Sequence, residues 1–241
     1  MRQFFLLLVV VAALVFVVVP YFVLPAVLEN LAARNVQDRL GLAQAPTVEL
    51  DSDPQWEMLL GEFSGGSISA NGLDLGGFRA ERAAINVDEP FIVDVPGSVR
   101  EQMLVVGGPV SGTVRLEVSE GEVLRLSNSA GGIGAKDIEL TRDGATIEFA
   151  AGVGDTTFTV LVEGGVGVEG DALVFQPRRV RAAGVQVPEY IADSLLAESA
   201  FRYPVNGLPY GGTLTGAKTL EGAVVITGRV PNVDLGALPA G

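Results

Sequence analysis

The spacing of hydrophobic positions changes twice along the chain. Phe4 to Val19 is an unbroken apolar run, which continues past Pro20 through Tyr21–Leu24, Pro25 and Ala26–Leu28. From Leu28 the apolar positions fall at helical spacing, as Leu28, Leu31/Ala32, Val36 and Leu40, interleaved with Glu29, Arg34, Asp38 and Arg39. From Thr47 onward the period is two, the signature of strands with one buried face.

If helical, residues 4–28 reach about 37 Å, more than the roughly 30 Å of a bilayer core. Phe, Leu and Val dominate the run and favour insertion by very roughly 4–8 kcal/mol. A cleaved signal peptide is the rival reading. It needs a shorter apolar core and a nearby small-residue cleavage site. The first Ala-x-Ala is the distant Ala43-Gln44-Ala45, followed by Pro46, and no lipobox cysteine exists. We therefore expect residues 1–28 to be a retained transmembrane anchor, with residues 29–241 forming an extracytoplasmic domain. The short N-terminal tail favours the cytoplasmic side. Pro20 and Pro25 are expected to kink or end the spanning helix near the outer interface, with Tyr21 at headgroup depth. The amphipathic helix that follows stops at Gly41. It either packs on the domain core, the simpler reading, or lies on the membrane.

In the domain, strands are expected at Ser67–Leu75, Phe78–Val87, Val110–Val118, Thr146–Ala150, Thr157–Glu163, Ala172–Gln176, Thr213–Thr219 and Ala223–Val230. Helices are few. Ser119-Glu120-Gly121-Glu122 has capping-box form and opens one through about Ser127. Pro188–Ser199 is a second, with Ile191, Leu195 and Leu196 on one face. Trp56–Leu60 and Pro96–Leu104 suit short helical turns. The pattern predicts an α+β fold: a mainly antiparallel, strongly curved sheet wrapped on a few helices.

Composition narrows the chemistry. The chain has neither histidine nor cysteine, which removes Ser-His-Asp catalysis, thiol nucleophiles and most zinc or haem ligation. A net charge of −13 repels nucleic-acid backbones and anionic headgroups, so any lipid contact rests on apolar burial. Gly165-Val166-Gly167-Val168-Glu169-Gly170 spells a dinucleotide fingerprint, but a strand follows where a helix is required, so it reads as a glycine-rich hairpin. Gly131-Gly132-Ile133-Gly134-Ala135-Lys136 lacks Walker spacing and reads as a turn. Neither Lys136 nor Lys218 lies in a Ser-x-x-Lys motif. Asp51/Asp53 and Asp88/Glu89 are proline-flanked acidic pairs that read as solvated turns. No enzyme, metal or cofactor is called for. Gln176-Pro177-Arg178-Arg179-Val180-Arg181 is the one basic cluster: either a strand end neutralising nearby acids, or a phosphate-headgroup site built on Arg178 and Arg179. The aromatics Trp56, Phe63, Phe78, Phe91, Phe149, Phe158, Phe175, Phe201 and Tyr203 are spread along the sheet. Most serve as core, and Trp56, Phe63, Phe78, Phe91, Phe158 and Phe175 are the candidates for lining an acyl-chain cavity.

Short phrases along the chain carry a resemblance. They are Asp38-Arg39-Leu40-Gly41-Leu42, Pro46-Thr47-Val48-Glu49-Leu50, Trp56–Phe63, Leu73-Asp74-Leu75-Gly76-Gly77-Phe78, Val110–Val114 with Val118-Ser119-Glu120, Phe175-Gln176-Pro177-Arg178, Val187-Pro188 and Tyr203–Pro209. In these the chain resembles the LmeA-type phospholipid-binding proteins of actinobacterial envelopes. The resemblance implies a tubular lipid-binding fold, similar to bactericidal/permeability-increasing proteins, with phospholipid acyl chains in an apolar interior and a role in envelope lipid or glycolipid biogenesis. It carries no catalytic residue. The expected function is thus a membrane-anchored phospholipid-binding protein, with a non-enzymatic scaffold for envelope proteins as the alternative and a hydrolase a distant third.

Overall fold

A computed structural model describes residues 23–75, 77–129, 134–153, 156–182, 189–205, 208–231 and 233, without side chains at 151–153, 156–158, 189–191 and 209. Residues 4–22 of the expected anchor lie outside the described residues. Among the described residues no helix is long and apolar enough to cross a membrane, so the transmembrane part of the expected fold is not found there.

The first helix, α1 (Leu24–Leu40), takes in the whole amphipathic stretch and begins four residues before the apolar periodicity does. Pro25 sits in its first turn, where a missing N–H costs nothing. Leu28, Ala32 and Val36, spaced by four, are buried along one face. Gly41 ends the helix in the left-handed conformation (φ 61°), its N–H bonded to the Gln37 carbonyl. The helix packs on β1 (Thr47–Asp51), and the Glu29 carboxylate accepts the Leu50 N–H at 3.3 Å.

The chain forms two compact units. The first takes the described residues of Met1–Ala70, Ala84–Thr113 and Val230–Gly241, and the second those of Asn71–Ala83 and Val114–Arg229. In the first, β1 is followed by a 3-10 helix (Gln55–Leu60) that stops at Gly61 (φ 78°). A side chain on Gly61 would run into the Val93 carbonyl. Short β2 (Glu62–Phe63) pairs with β5 (Phe91–Ile92), placing Phe63 opposite Phe91 with rings stacked 5.4 Å apart. The following helix, α2 (Val95–Glu101), is capped by Asp94, whose carboxylate accepts the Gly97 N–H at 3.0 Å. Fully buried Ser98 is satisfied: its hydroxyl donates to the Asp94 carbonyl and accepts from the Val105 N–H.

The main strands are β3 (Gly65–Asp74), β4 (Arg79–Val87), β6 (Gly112–Ser119), β12 (Thr213–Leu220) and β13 (Ala223–Val230), which with β1 form a six-stranded sheet in the order β1-β3-β4-β6-β13-β12. A second sheet runs β11-β10-β9-β8-β7, with β7 (Ala135–Thr141), β8 (Gly144–Val153), β9 (Thr156–Glu169), β10 (Ala172–Ala182) and β11 (Phe201–Pro204). Each pairing with a described register is antiparallel. The mainly antiparallel α+β architecture matches the expectation. Bulges interrupt the ladders at Pro177/Arg179, Leu214/Gly216 and Ala135/Asp137, and each bends its strand and adds twist.

The glycine fingerprint resolves as a hairpin. Gly165 and Gly167 lie inside β9, and Gly170 (φ 60°) makes the turn into β10. Strands β9 and β10 extend well past their apolar cores, because Gly164 and Gly165 break the alternation without breaking the ladder. Their bareness has a cause: a Cβ on Gly164 would meet the Phe175 ring on the neighbouring strand at about 2.6 Å. Of the Gly131–Lys136 loop, residues 131–133 lie outside the described residues, and Ala135 and Lys136 open β7. Helix α3 (Glu120–Ser129) forms where the capping-box sequence places it, but Glu122 turns away from Ser119 and accepts the Arg79 N–H at 2.8 Å. Glu120 likewise accepts the Leu140 N–H at 2.7 Å, tying the helix start to β7.

Candidate functional site

Sequence-selected residues separate by unit. Trp56, Phe63 and Phe91 belong to the first and Phe78, Phe175, Arg178 and Arg179 to the second, where the Phe158 side chain lies outside the described residues. Phe63 and Phe91 stack on each other in the first unit's core, while Trp56 is 51% exposed on the 3-10 helix. Phe78 and Phe175 are buried, and Phe175 stacks on Phe201 of the adjacent strand at 5.7 Å.

The five-stranded sheet builds an apolar wall from alternate positions. Leu140 of β7, Ile147 and Phe149 of β8, Val162 of β9, and Leu173 and Phe175 of β10 are all buried. Two elements of the second unit pack against these strands: β12 on β7–β9, and α4 (Glu189–Ser199) on β10. Leu195 and Leu196 of α4 are only half-buried. A helix whose leucines are incompletely covered, lying on a sheet of buried Val, Leu and Phe, is a surface to which alkyl chains are chemically suited.

A separate polar cleft of 360 Å³ opens on the same sheet, lined by Thr141, Asp143, Thr146, Glu163, Arg178 and Arg179 among others. Arg178 stands at the bulge in β10, and its guanidinium lies over bare Gly165. Glu163 draws in two arginines, Arg181 at 3.0 Å and Arg179 at 3.6 Å. Two arginines therefore face two carboxylates in the cleft. Arg179 is engaged with Glu163, whereas Arg178 has no ion-pair partner among the described residues. This balance does not make a strong anion trap.

One charged cluster was not singled out from sequence. Arg125 pairs with Glu122 and also donates to the Gly77 carbonyl, so α3 is fastened to the β3–β4 connection. The hydrogen bond from Arg125 holds the Glu122 carboxyl below its ordinary pKa, against the opposing effect of burial, with help from the Arg79 N–H. The Arg125 guanidinium is raised in turn by that same bond. This cluster fixes structure and has no open position for a substrate. Exposed Leu59, Leu60 and Ile92 also went unselected. Their signal was the Trp56-x-x-Leu59 spacing, since residues three apart eclipse in a 3-10 helix.

In comparison with known families, residues 19–229 match the LmeA-like phospholipid-binding family. The chain belongs to this family, as its short sequence phrases indicated. Neither the curated proteins nor the solved structures give a match.

Proposed function

We propose that this protein is a membrane-anchored, extracytoplasmic phospholipid-binding protein that holds acyl chains in an apolar groove and supports cell-envelope lipid or glycolipid biogenesis. The observation that carries this reading is membership of a phospholipid-binding family across residues 19–229. The apolar wall of β7–β10, with half-buried α4 packed on β10, supports a groove between helix and sheet, in the manner of tubular lipid-binding proteins. Each buried CH₂ of an alkyl chain contributes about 0.8 kcal/mol, enough over one chain to retain a lipid without a basic headgroup site. Phe175 and Phe158 are the candidate acyl contacts on this sheet, and Arg178 the candidate phosphate contact. Binding without catalysis suits a chain that lacks histidine and cysteine. The anchor is the apolar run beginning at Phe4, with the domain on the far side of the membrane from the short N-terminal tail.

Native mass spectrometry of the full chain, extracted in mild detergent, tests the proposal. Phospholipid should remain bound at defined stoichiometry and exchange with lipid from vesicles. A chain that carries none and takes up none would sink it. The second reading, an interaction module for envelope proteins, draws on the exposed apolar side chains of the first unit.

A further inference from the structure

All seven exposed large hydrophobic side chains among the described residues, Val23, Val27, Trp56, Leu59, Leu60, Ile92 and Val99, belong to the first unit. Five of them lie on three elements that Gly61 ties into one corner: the 3-10 helix, β5 and α2. Trp56 and Leu59 form one row of the 3-10 helix and Leu60 ends it, while Met58 alone turns inward. Gly61 then accepts the Val93 N–H at 2.7 Å, which sets Ile92 on the outer face of the β2–β5 pair. Val95 also borders Gly61, and Val99 lies one helical turn beyond it on α2.

The elements beside the corner lie against α1: β1, which leads into the 3-10 helix, and α2 both pack on α1. Glu29 holds the Leu50 N–H near the end of β1, and Ser52 donates to the Glu62 carbonyl at 3.0 Å, which closes the segment carrying the 3-10 helix at that strand end. Glu29 is about 9 Å along the helix from Val23. The exposed Val23 and Val27 continue the apolar surface toward residues 4–22.

We infer that Trp56, Leu59, Leu60, Ile92 and Val99 form a bilayer-docking surface that seats in the interfacial layer of the membrane holding residues 4–22. This rests on the anchored reading above. Trp56 suits that depth: its ring is apolar and its indole N–H has no hydrogen-bond partner among the described residues, leaving it free for headgroup and ester oxygens. Glu57, Glu62 and Glu101 lie beside the corner, and Arg100 there is paired with Glu101 at 3.6 Å. Acidic neighbours disfavour anionic lipid, so docking works by apolar burial on a neutral or zwitterionic surface and is insensitive to salt. With anchor and corner both seated, the first unit is held in one orientation on the bilayer.

Trp56 is the one tryptophan of the chain, so its fluorescence reports this corner alone. The full chain is reconstituted in phosphatidylcholine vesicles with and without brominated acyl chains. Docking predicts blue-shifted emission, quenching by the brominated lipid, protection from acrylamide, and no change between low and high salt. Leu60→Ser with Ile92→Ser, two exposed positions, should move the docked equilibrium about tenfold or more toward the undocked state. That variant should leave the phospholipid seen by native mass spectrometry unchanged. If wild-type Trp56 stays open to acrylamide in vesicles while lipid remains bound, the docking surface is overturned and the lipid-binding reading stands. Quenching without bound lipid has the opposite meaning. Protection of Trp56 in detergent that rises with protein concentration would identify a second copy as the occupant and overturn the bilayer. If alkaline carbonate releases the chain from vesicles, the anchor fails; brominated-lipid quenching that the double variant abolishes would still support the docking surface.

Discussion

The two units expose opposite kinds of surface. The first displays Trp56, Leu59, Leu60, Ile92 and Val99 to the outside, with the ion pair Arg100–Glu101 beside them. The second has no exposed large hydrophobic side chain among its described residues. Its surface carries Arg82–Glu117, Glu122–Arg125, Arg202–Glu169 and the Glu163 pairs. Both units have cores of the same Val, Leu and Phe type. The difference is therefore not one of foldability. Apolar side chains left in water do nothing for folding, so their concentration in the first unit suits a partner surface, whereas the described outer face of the second unit bears charged pairs.

The comparison breaks most sharply at the aromatics. Phe175→Ala, in the second unit's core against Phe201, should cost about 3–5 kcal/mol. Trp56→Ala, half exposed in the first unit, should change stability by no more than about 0.5 kcal/mol. Urea denaturation followed by far-ultraviolet circular dichroism measures both. A large loss at Trp56 would mean that its ring supports the fold and is not held in reserve for a partner.

Glycines give the next largest contrast. Gly61 (φ 78°) and Gly222 (φ 74°) have nearly the same φ, but a Cβ on Gly61 strikes the Val93 carbonyl whereas one on Gly222 meets nothing within 4 Å. Gly222→Ala should cost about 1–2 kcal/mol from the left-handed conformation alone. Gly61→Ala should cost at least about 1 kcal/mol more, because the corner carrying Leu60 and Ile92 must open. Equal thermal shifts in the two variants would show that the contact at Gly61 relaxes freely.

How much of this was legible depended on whether a residue's role was local. The strand Ala223–Val230 was read to the residue, because its apolar run is bounded by turn residues at both ends. The C-terminal stop at Gly41 was equally plain. Strand β7, Ala-Lys-Asp-Ile-Glu-Leu-Thr, was missed, since it has only Ile138 and Leu140 as buried hydrophobes and its pairing with β8 makes it a strand. The ends of β9 were missed for the opposite reason: Gly164 and Gly165 are bare because Phe175 and Arg178 of β10 lie over them, a fact set by cross-strand register. Among the candidate site residues, sequence supplied the aromatics but not which of them face water. Phe63 and Phe91 are 28 positions apart and Trp56 lies close to Phe63 in the chain, yet the first two stack in the core and Trp56 faces out. The pairing of Glu122 with Arg125 was within reach as an i,i+3 spacing, but the Arg79 N–H that completes it comes from a distant strand.

That cluster gives the second unit an acid-sensitive contact. Glu122 has its pKa lowered in the folded chain, so the stabilisation is fully present above its unfolded value near 4.5 and is lost as pH falls through the folded value. Glu122→Gln should cost about 1–2 kcal/mol at pH 7, since the charge-assisted bonds to Arg125 and the Arg79 N–H are weakened. The variant should also lose less stability than wild type as pH falls from the unfolded value near 4.5 through the lowered folded value. Urea midpoints across the range measure this, and parallel curves for the two proteins would assign the acid sensitivity elsewhere.

The smallest effect should come from the Glu163 pairs, and its smallness is itself informative. Arg179 and Arg181 share one carboxylate, and both side chains are more than half exposed. Solvent screens each pair, and removing one arginine leaves the other to keep Glu163 partnered. Arg179→Gln should therefore change stability by no more than about 0.5 kcal/mol. The double change with Arg181→Gln should exceed the sum of the two single changes, because only then does Glu163 lose both cations. If Arg179→Gln instead lowers the phospholipid retained in native mass spectrometry while stability is unchanged, the cleft's arginine serves the ligand, not the fold. The second unit's charged face would then be a recognition surface in its own right, and the contrast with the first unit would be between two kinds of lipid contact, one by charge and one by burial.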